Sequence, residues 1–136
     1  MTTVTVPDLW PRNLSDSATE PSPVAILRQQ GYKLGEHTDE VVFGEIVSEF
    51  IRPDHYNHEF FLVSPPFKVR HRLFNVHHKV GNYPCDIKLY FNDKVLDQKT
   101  DLQDSSQFMH ALQELLANEL VVSLVQSLNS QFQEID

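Results

Sequence analysis

The chain is predicted to be an α+β protein, with an antiparallel sheet of four strands, or five with a further hairpin, packed against a long C-terminal helix and a short N-terminal one. Two observations carry this. Residues 41 to 91 form four segments rich in aromatic and β-branched residues, divided by turn chemistry, and residues 105 to 128 form one long apolar-rich helical pattern. The clearest strand, 83 to 91, alternates: Tyr83, Cys85, Ile87, Leu89 and Phe91 share one face, and Asp86, Lys88 and Tyr90 the other. A parallel strand buried on both faces would be apolar nearly throughout, so this one-sided pattern argues for an antiparallel sheet with one wet face.

In chain order, residues 1 to 21 read as a partly extended arm and residues 22 to 136 as the one α+β domain. The arm mixes Thr, Ser, Pro and acidic residues around Leu9 and Trp10. A tryptophan is an odd residue to leave solvated, so Trp10 is expected to dock on its own body or on a partner. Ser22-Pro23 supplies a capping side chain and then proline at the first helical position, opening a helix through Val24, Ile26 and Leu27, with Gly31 and Gly35 weakening its far end. Strands are expected over 41 to 51, 59 to 63, 69 to 80 and 83 to 91. Arg52-Pro53-Asp54 and Ser64-Pro65-Pro66 mark turns between them, and Gly81-Asn82 a tight hairpin. Asn92-Asp93 can open a further hairpin, which makes Val95-Leu96 a fifth strand.

The C-terminal helix starts with Asp104 as N-cap and Gln107 three residues on, a capping-box variant. Phe108, Leu112, Leu115 and Leu116 form one stripe. From Leu120 the apolar residues Leu120, Val121, Val122, Leu124, Val125 and Leu128 spread around the circumference, which marks that half as fully buried or as an interface. Ser123, Gln126 and Ser127 interrupt it, well short of the roughly 20 apolar residues of a membrane span, so no membrane association is expected.

With 136 residues the chain buries enough surface to fold without a metal or disulfide staple. Its one cysteine, Cys85, lies on the inward face of the best strand and reads as core packing in a reducing compartment. The N-terminus lacks a basic segment followed by a continuous apolar one, so the cytoplasm is the expected location. A net charge of −8 disfavours nucleic acid, whose phosphates need clustered cations. The basic cluster, 68 to 72 with Lys79, reads as a solvated sheet face. Acidity also suits a protein that covers a basic surface on its partner.

Five of the seven histidines fall between residues 55 and 78. Asp54-His55-Tyr56-Asn57-His58-Glu59 reads as a turn presenting His55 and His58 to one cation, with a third ligand from His71, His77 or His78; His77 completes the preferred set of His55, His58 and His77, and zinc is the representative divalent ion. His71 and His77 share a face by parity, and His77 and His78 do not. The favoured reading is plainer: His55 and His58 are polar loop residues, His71 and His77 stand on the wet face, and His78 is partly buried beside Phe74 and Val76. None of Ser64, Ser105 and Ser106 sits in a nucleophile elbow, and four glycines build no phosphate loop. Glu45 and Glu49 share a strand face, as paired catalytic carboxylates or as charges that guard a sheet edge.

The sequence therefore favours a protein-binding or self-associating module without catalytic activity or cofactor, a homo-oligomer through Trp10, Leu120, Val121, Leu124, Val125 and Leu128. The alternative is a metal-dependent enzyme or sensor built on the histidines. A pH-responsive regulator and a small-ligand pocket between sheet and helices complete the set.

Overall fold

The computed structural model describes residues 5–12 and 20–135. Helix α1 (Pro23–His37) starts as its sequence dictates: Ser22 Oγ accepts a hydrogen bond from the Ala25 amide at 3.2 Å, and Pro23 follows where no amide is needed. Gly31 and Gly35 do not end the helix. They lie one turn apart on its buried face, and Gly31 rests on Gly44 of strand β1 (Phe43–Ile51). A Cβ on Gly31 would stand 2.8 Å from the Gly44 carbonyl oxygen, and a Cβ on Gly44 would enter the Phe60 ring. Two missing side chains thus let helix backbone lie on strand backbone.

Strands β2 (His55–Ser64), β3 (Val69–Lys79), β4 (Cys85–Phe91) and β5 (Lys94–Leu102) follow β1 in a five-stranded sheet of order β1-β2-β3-β4-β5, every neighbouring pair antiparallel. The fifth strand forms because Asn92 and Asp93, at φ 51° and 63°, make a two-residue hairpin that requires positive φ at both centres. Gly81 and Asn82 also have positive φ, but the link they belong to runs from residue 80 to 84 and is longer than the tight hairpin expected. β2 begins at His55, so the histidines expected in a turn stand on a strand.

Helix α2 (Ser105–Leu116) is capped by Asp104, whose Oδ1 accepts from the Gln107 amide at 2.8 Å, while Gln107 Oε1 accepts from the Gln103 amide at 2.8 Å. The long helix expected over 105 to 128 is in fact two. The chain bends by 63° before α3 (Glu119–Ile135), and Asn118 Oδ1 accepts from the Leu120 amide at 2.9 Å to start the second helix. Residues 120 to 128 all lie within α3, and their wide spread comes from Leu120 and Val122 at the two edges of the apolar stripe. On its own axis α3 presents Val121, Leu124, Val125 and Leu128 as an ordinary stripe. Val121 and Leu128 are buried, Leu124 and Val125 pack partly buried against the core, and Leu120 and Val122 are exposed. No single helix among the described residues is long and apolar enough to cross a membrane.

The core lies between one sheet face and the helices. Phe60, Leu62, Phe74, Val76, Ile87 and Leu89 meet Leu27, Phe108, Leu112 and Leu115 there. Cys85 belongs to the same layer, where burial first and Asp86 second push its thiol up to about 12. The opposite face is polar. Arg70 lies 3.7 Å over the Phe61 ring and 3.0 Å from Glu45, and Arg72 lies 4.0 Å over the Tyr90 ring and 3.6 Å from Asp93. Each of these two arginines therefore has an aromatic and an acidic neighbour on that face.

Candidate functional site: a histidine-lined sheet edge and an apolar cleft

Strand register decides which histidines meet. Pairing of Ser48 with His58 and of His58 with Val76 makes one row on the helix-covered face, and Phe50, Tyr56, His78 and Cys85 make the next. His55 and His77 lie on the other face, because an odd spacing along β2 separates His55 from His58. His71 and His77, expected to share a face, do not. Phe60 pairs with Phe74 and Phe61 with Arg72, which leaves Leu73 as an unpaired bulge residue and reverses parity beyond it. His71 therefore pairs with buried Leu62 and meets the Phe91 ring edge-on at 5.4 Å.

The inner pair forms a directional chain. His78 Nδ1 lies 2.6 Å from the Lys79 carbonyl oxygen, which only accepts, so Nδ1 carries the proton. With neutral rings, His78 Nε2 then accepts from His58 Nε2 at 2.8 Å, and His58 Nδ1 accepts from the Ser48 hydroxyl at 2.7 Å. His58 is 4% exposed, and its pKa is lowered from 6.5 to about 4 by burial first, then by His78 and Arg28. Tyr56 stacks on His78 at 5.4 Å and Phe50 packs on Tyr56 at 5.1 Å, continuing an aromatic column to the sheet edge. Both nitrogens of His58 are engaged within the protein.

On the outer face His55 Nδ1 lies 3.0 Å from His77 Nε2, with the rings stacked, and Asp54 Oδ1 lies 3.3 Å from His55 Nε2. The expected metal set of His55, His58 and His77 is thus divided between two faces of one sheet. Among the described residues no group of three or more His, Cys, Asp or Glu is placed to hold a metal ion.

β1 is the first strand of the sheet and its outer edge pairs with no other strand among the described residues. Val47, Phe50 and Ile51 on it are 42, 51 and 43% exposed. Val47 and Ile51 stand on the outer face with Glu45 and Glu49, the pair that the sequence offered as either catalytic acids or edge charges. Glu45 is held by Arg70.

A second feature lies at the far end of the helical layer. α1 and α3 are separated by a cleft of about 560 Å³, floored by Leu62 and Leu73, walled by Leu34, Val121 and Val125, and rimmed by Lys33 and His37. Sequence reading missed both Lys33 and His37, and Ser48 and Tyr56 as well. Only strand register and the α2–α3 bend bring these residues to their places. Of the expected interface residues, Val121 and Leu128 are buried in the core of their own chain, so neither is offered to a second copy. Leu120 is exposed, and Trp10 is 73% exposed with its amide donating to Asp8 Oδ1 at 3.1 Å. Comparison of the chain with family models, curated proteins and solved structures finds no match.

Proposed function

We propose that this chain is a protein-binding module without catalytic activity that assembles with a second copy of itself along β1. The observation that carries the reading is a nine-residue sheet edge with three large apolar side chains 42 to 51% exposed. Such an edge offers a row of unpaired backbone donors and acceptors, the surface through which sheets add strands. Charge favours one register for the second copy. Antiparallel pairing about a two-fold axis at Ser48 sets Ile46 against Phe50, Val47 against Glu49 and Glu45 against Ile51; an axis at Val47 would set Glu45 against Glu49, a destabilising like-charge pair. Binding is favoured over metal chemistry because His55, His58 and His77 are divided between two sheet faces and both nitrogens of His58 are engaged within the protein.

Sedimentation velocity on the full chain tests this. Wild type is expected to sediment as a dimer, and Val47→Glu with Ile51→Glu, which sets glutamates against Glu49 and Glu45 of the second copy, as a monomer with an unchanged circular dichroism spectrum, since both side chains face solvent. A wild-type monomer at millimolar concentration, or a dimer indifferent to both glutamates, would remove the proposal.

A further inference from the structure

We infer that the cleft between α1 and α3 binds a free aliphatic carboxylate, its chain along the apolar floor and its head group at Lys33. The inference is independent of β1. Its first ground is size and lining: about 560 Å³ with Leu34, Leu62, Leu73, Leu116, Val121 and Val125 is a volume and an apolar surface suited to one small ligand. Its second ground is charge. The chain carries 19 acidic residues against 11 basic ones, yet among the described residues no carboxylate lines the cleft, while Lys33 and His37 both do. An aliphatic chain with a cationic head would find no counter-charge at this rim. One with an anionic head meets Lys33 beside the apolar wall, and the remaining polar neighbours, Gln30 and Gln126, supply uncharged donors.

The structure also separates the two contributions. Lys33 is exposed and makes no contribution to the core, so Lys33→Gln changes the head-group site alone. Val122 lines the cleft from the exposed side of α3, so Val122→Asp places a carboxylate at its mouth without touching buried packing.

Calorimetric titration of the full-length chain with octanoate, decanoate and dodecanoate, each below its micelle concentration, tests the inference. Affinity is expected to rise about fourfold per added methylene until the cleft is filled, the equivalent of roughly 0.8 kcal/mol each. Dodecanol and dodecyltrimethylammonium are expected to bind at least several-fold more weakly than dodecanoate. Lys33→Gln should weaken dodecanoate and leave dodecanol unchanged, and Val122→Asp should abolish dodecanoate binding while the thermal midpoint stays at the wild-type value. Equal affinity for the three head groups, or no dependence on chain length, overturns the inference. So does a red shift of the single tryptophan, Trp10, on adding dodecanoate together with tighter binding by Trp10→Ala, because the arm would then be the natural occupant of the cleft.

Discussion

Lowering the pH should weaken this fold through His58 in particular, and the size of the effect follows from its position. In the folded chain the ring is buried, bonded at both nitrogens and held down to about 4, whereas in the unfolded chain it titrates near 6.5. Between those values the unfolded state takes up a proton that the folded state refuses. Stability is therefore intact above pH 6.5, falls as pH drops through the window, and levels off below about 4. The slope is about 1.4 kcal/mol per pH unit and the whole loss about 3 kcal/mol, a large share of the 5–15 kcal/mol typical of a domain. Urea titrations at several pH values should show the midpoint falling by roughly 1 to 3 M from this group. Carboxylates add their own pH dependence, so the informative quantity is the difference between wild type and His58→Leu. That difference should move in favour of the variant by about 3 kcal/mol between pH 7.5 and 4. A difference constant across that range would refute the reasoning, and with it the view that His58 is held neutral by its burial.

Three further outcomes are expected. Asn118→Ala removes the cap that starts α3 and should cost about 1 kcal/mol, read as a fall of a few degrees in thermal midpoint; Asp104→Ala at the head of α2 should cost a similar amount. Cys85, buried with its thiol pushed up to about 12, should react with a disulfide reagent only as fast as the chain opens, so the native rate should track unfolding and jump in denaturant. Gly81→Ala meets no neighbour within 4 Å but keeps a φ of 110°, so it should destabilise by about 1 kcal/mol or more through backbone strain alone, checked by chemical denaturation.

The parts legible in the sequence were those fixed by local chemistry. The caps at Ser22 and Asp104, the alternation of 83 to 91 and the optional hairpin at Asn92-Asp93 all rest on residues within a few positions of one another, and all are in the structure. What was not legible depends on registration between distant segments. One bulge at Leu73 moved His71 to the face opposite His77, and a β2 that begins at His55 divided the histidines proposed to share a metal. The α2–α3 break is written in Asn118, a good cap inside an apolar run, whereas the all-round apolar look of 120 to 128 comes from Leu120 and Val122, which flank the buried stripe and are exposed. Gly31 and Gly35 look like weak points of a helix because glycine lowers helix propensity; the close approach to Gly44 that gives Gly31 its purpose lies in another element. The α1–α3 cleft had no sequence signature, since its walls come from five elements.

α1 links the two proposed surfaces. One side of it rests on β1 through Gly31 and Gly44, and Lys33, Leu34 and His37, further along the same helix, line the cleft. A substitution on the outer face of β1 leaves that contact alone, so Val47→Glu with Ile51→Glu should give a monomer that still binds dodecanoate with wild-type affinity. Gly44→Ala acts from within. Its new methyl group would stand 2.7 Å from the Gly31 Cα and overlap the Phe60 ring, so α1 must lift or Phe60 must leave its place, at a cost of about 1–3 kcal/mol. Lifting α1 moves one wall of the cleft, and dodecanoate binding should weaken in a protein that still folds. If Gly44→Ala lost stability but kept the full affinity, the shift would be absorbed by Phe60 and the two surfaces would be mechanically independent.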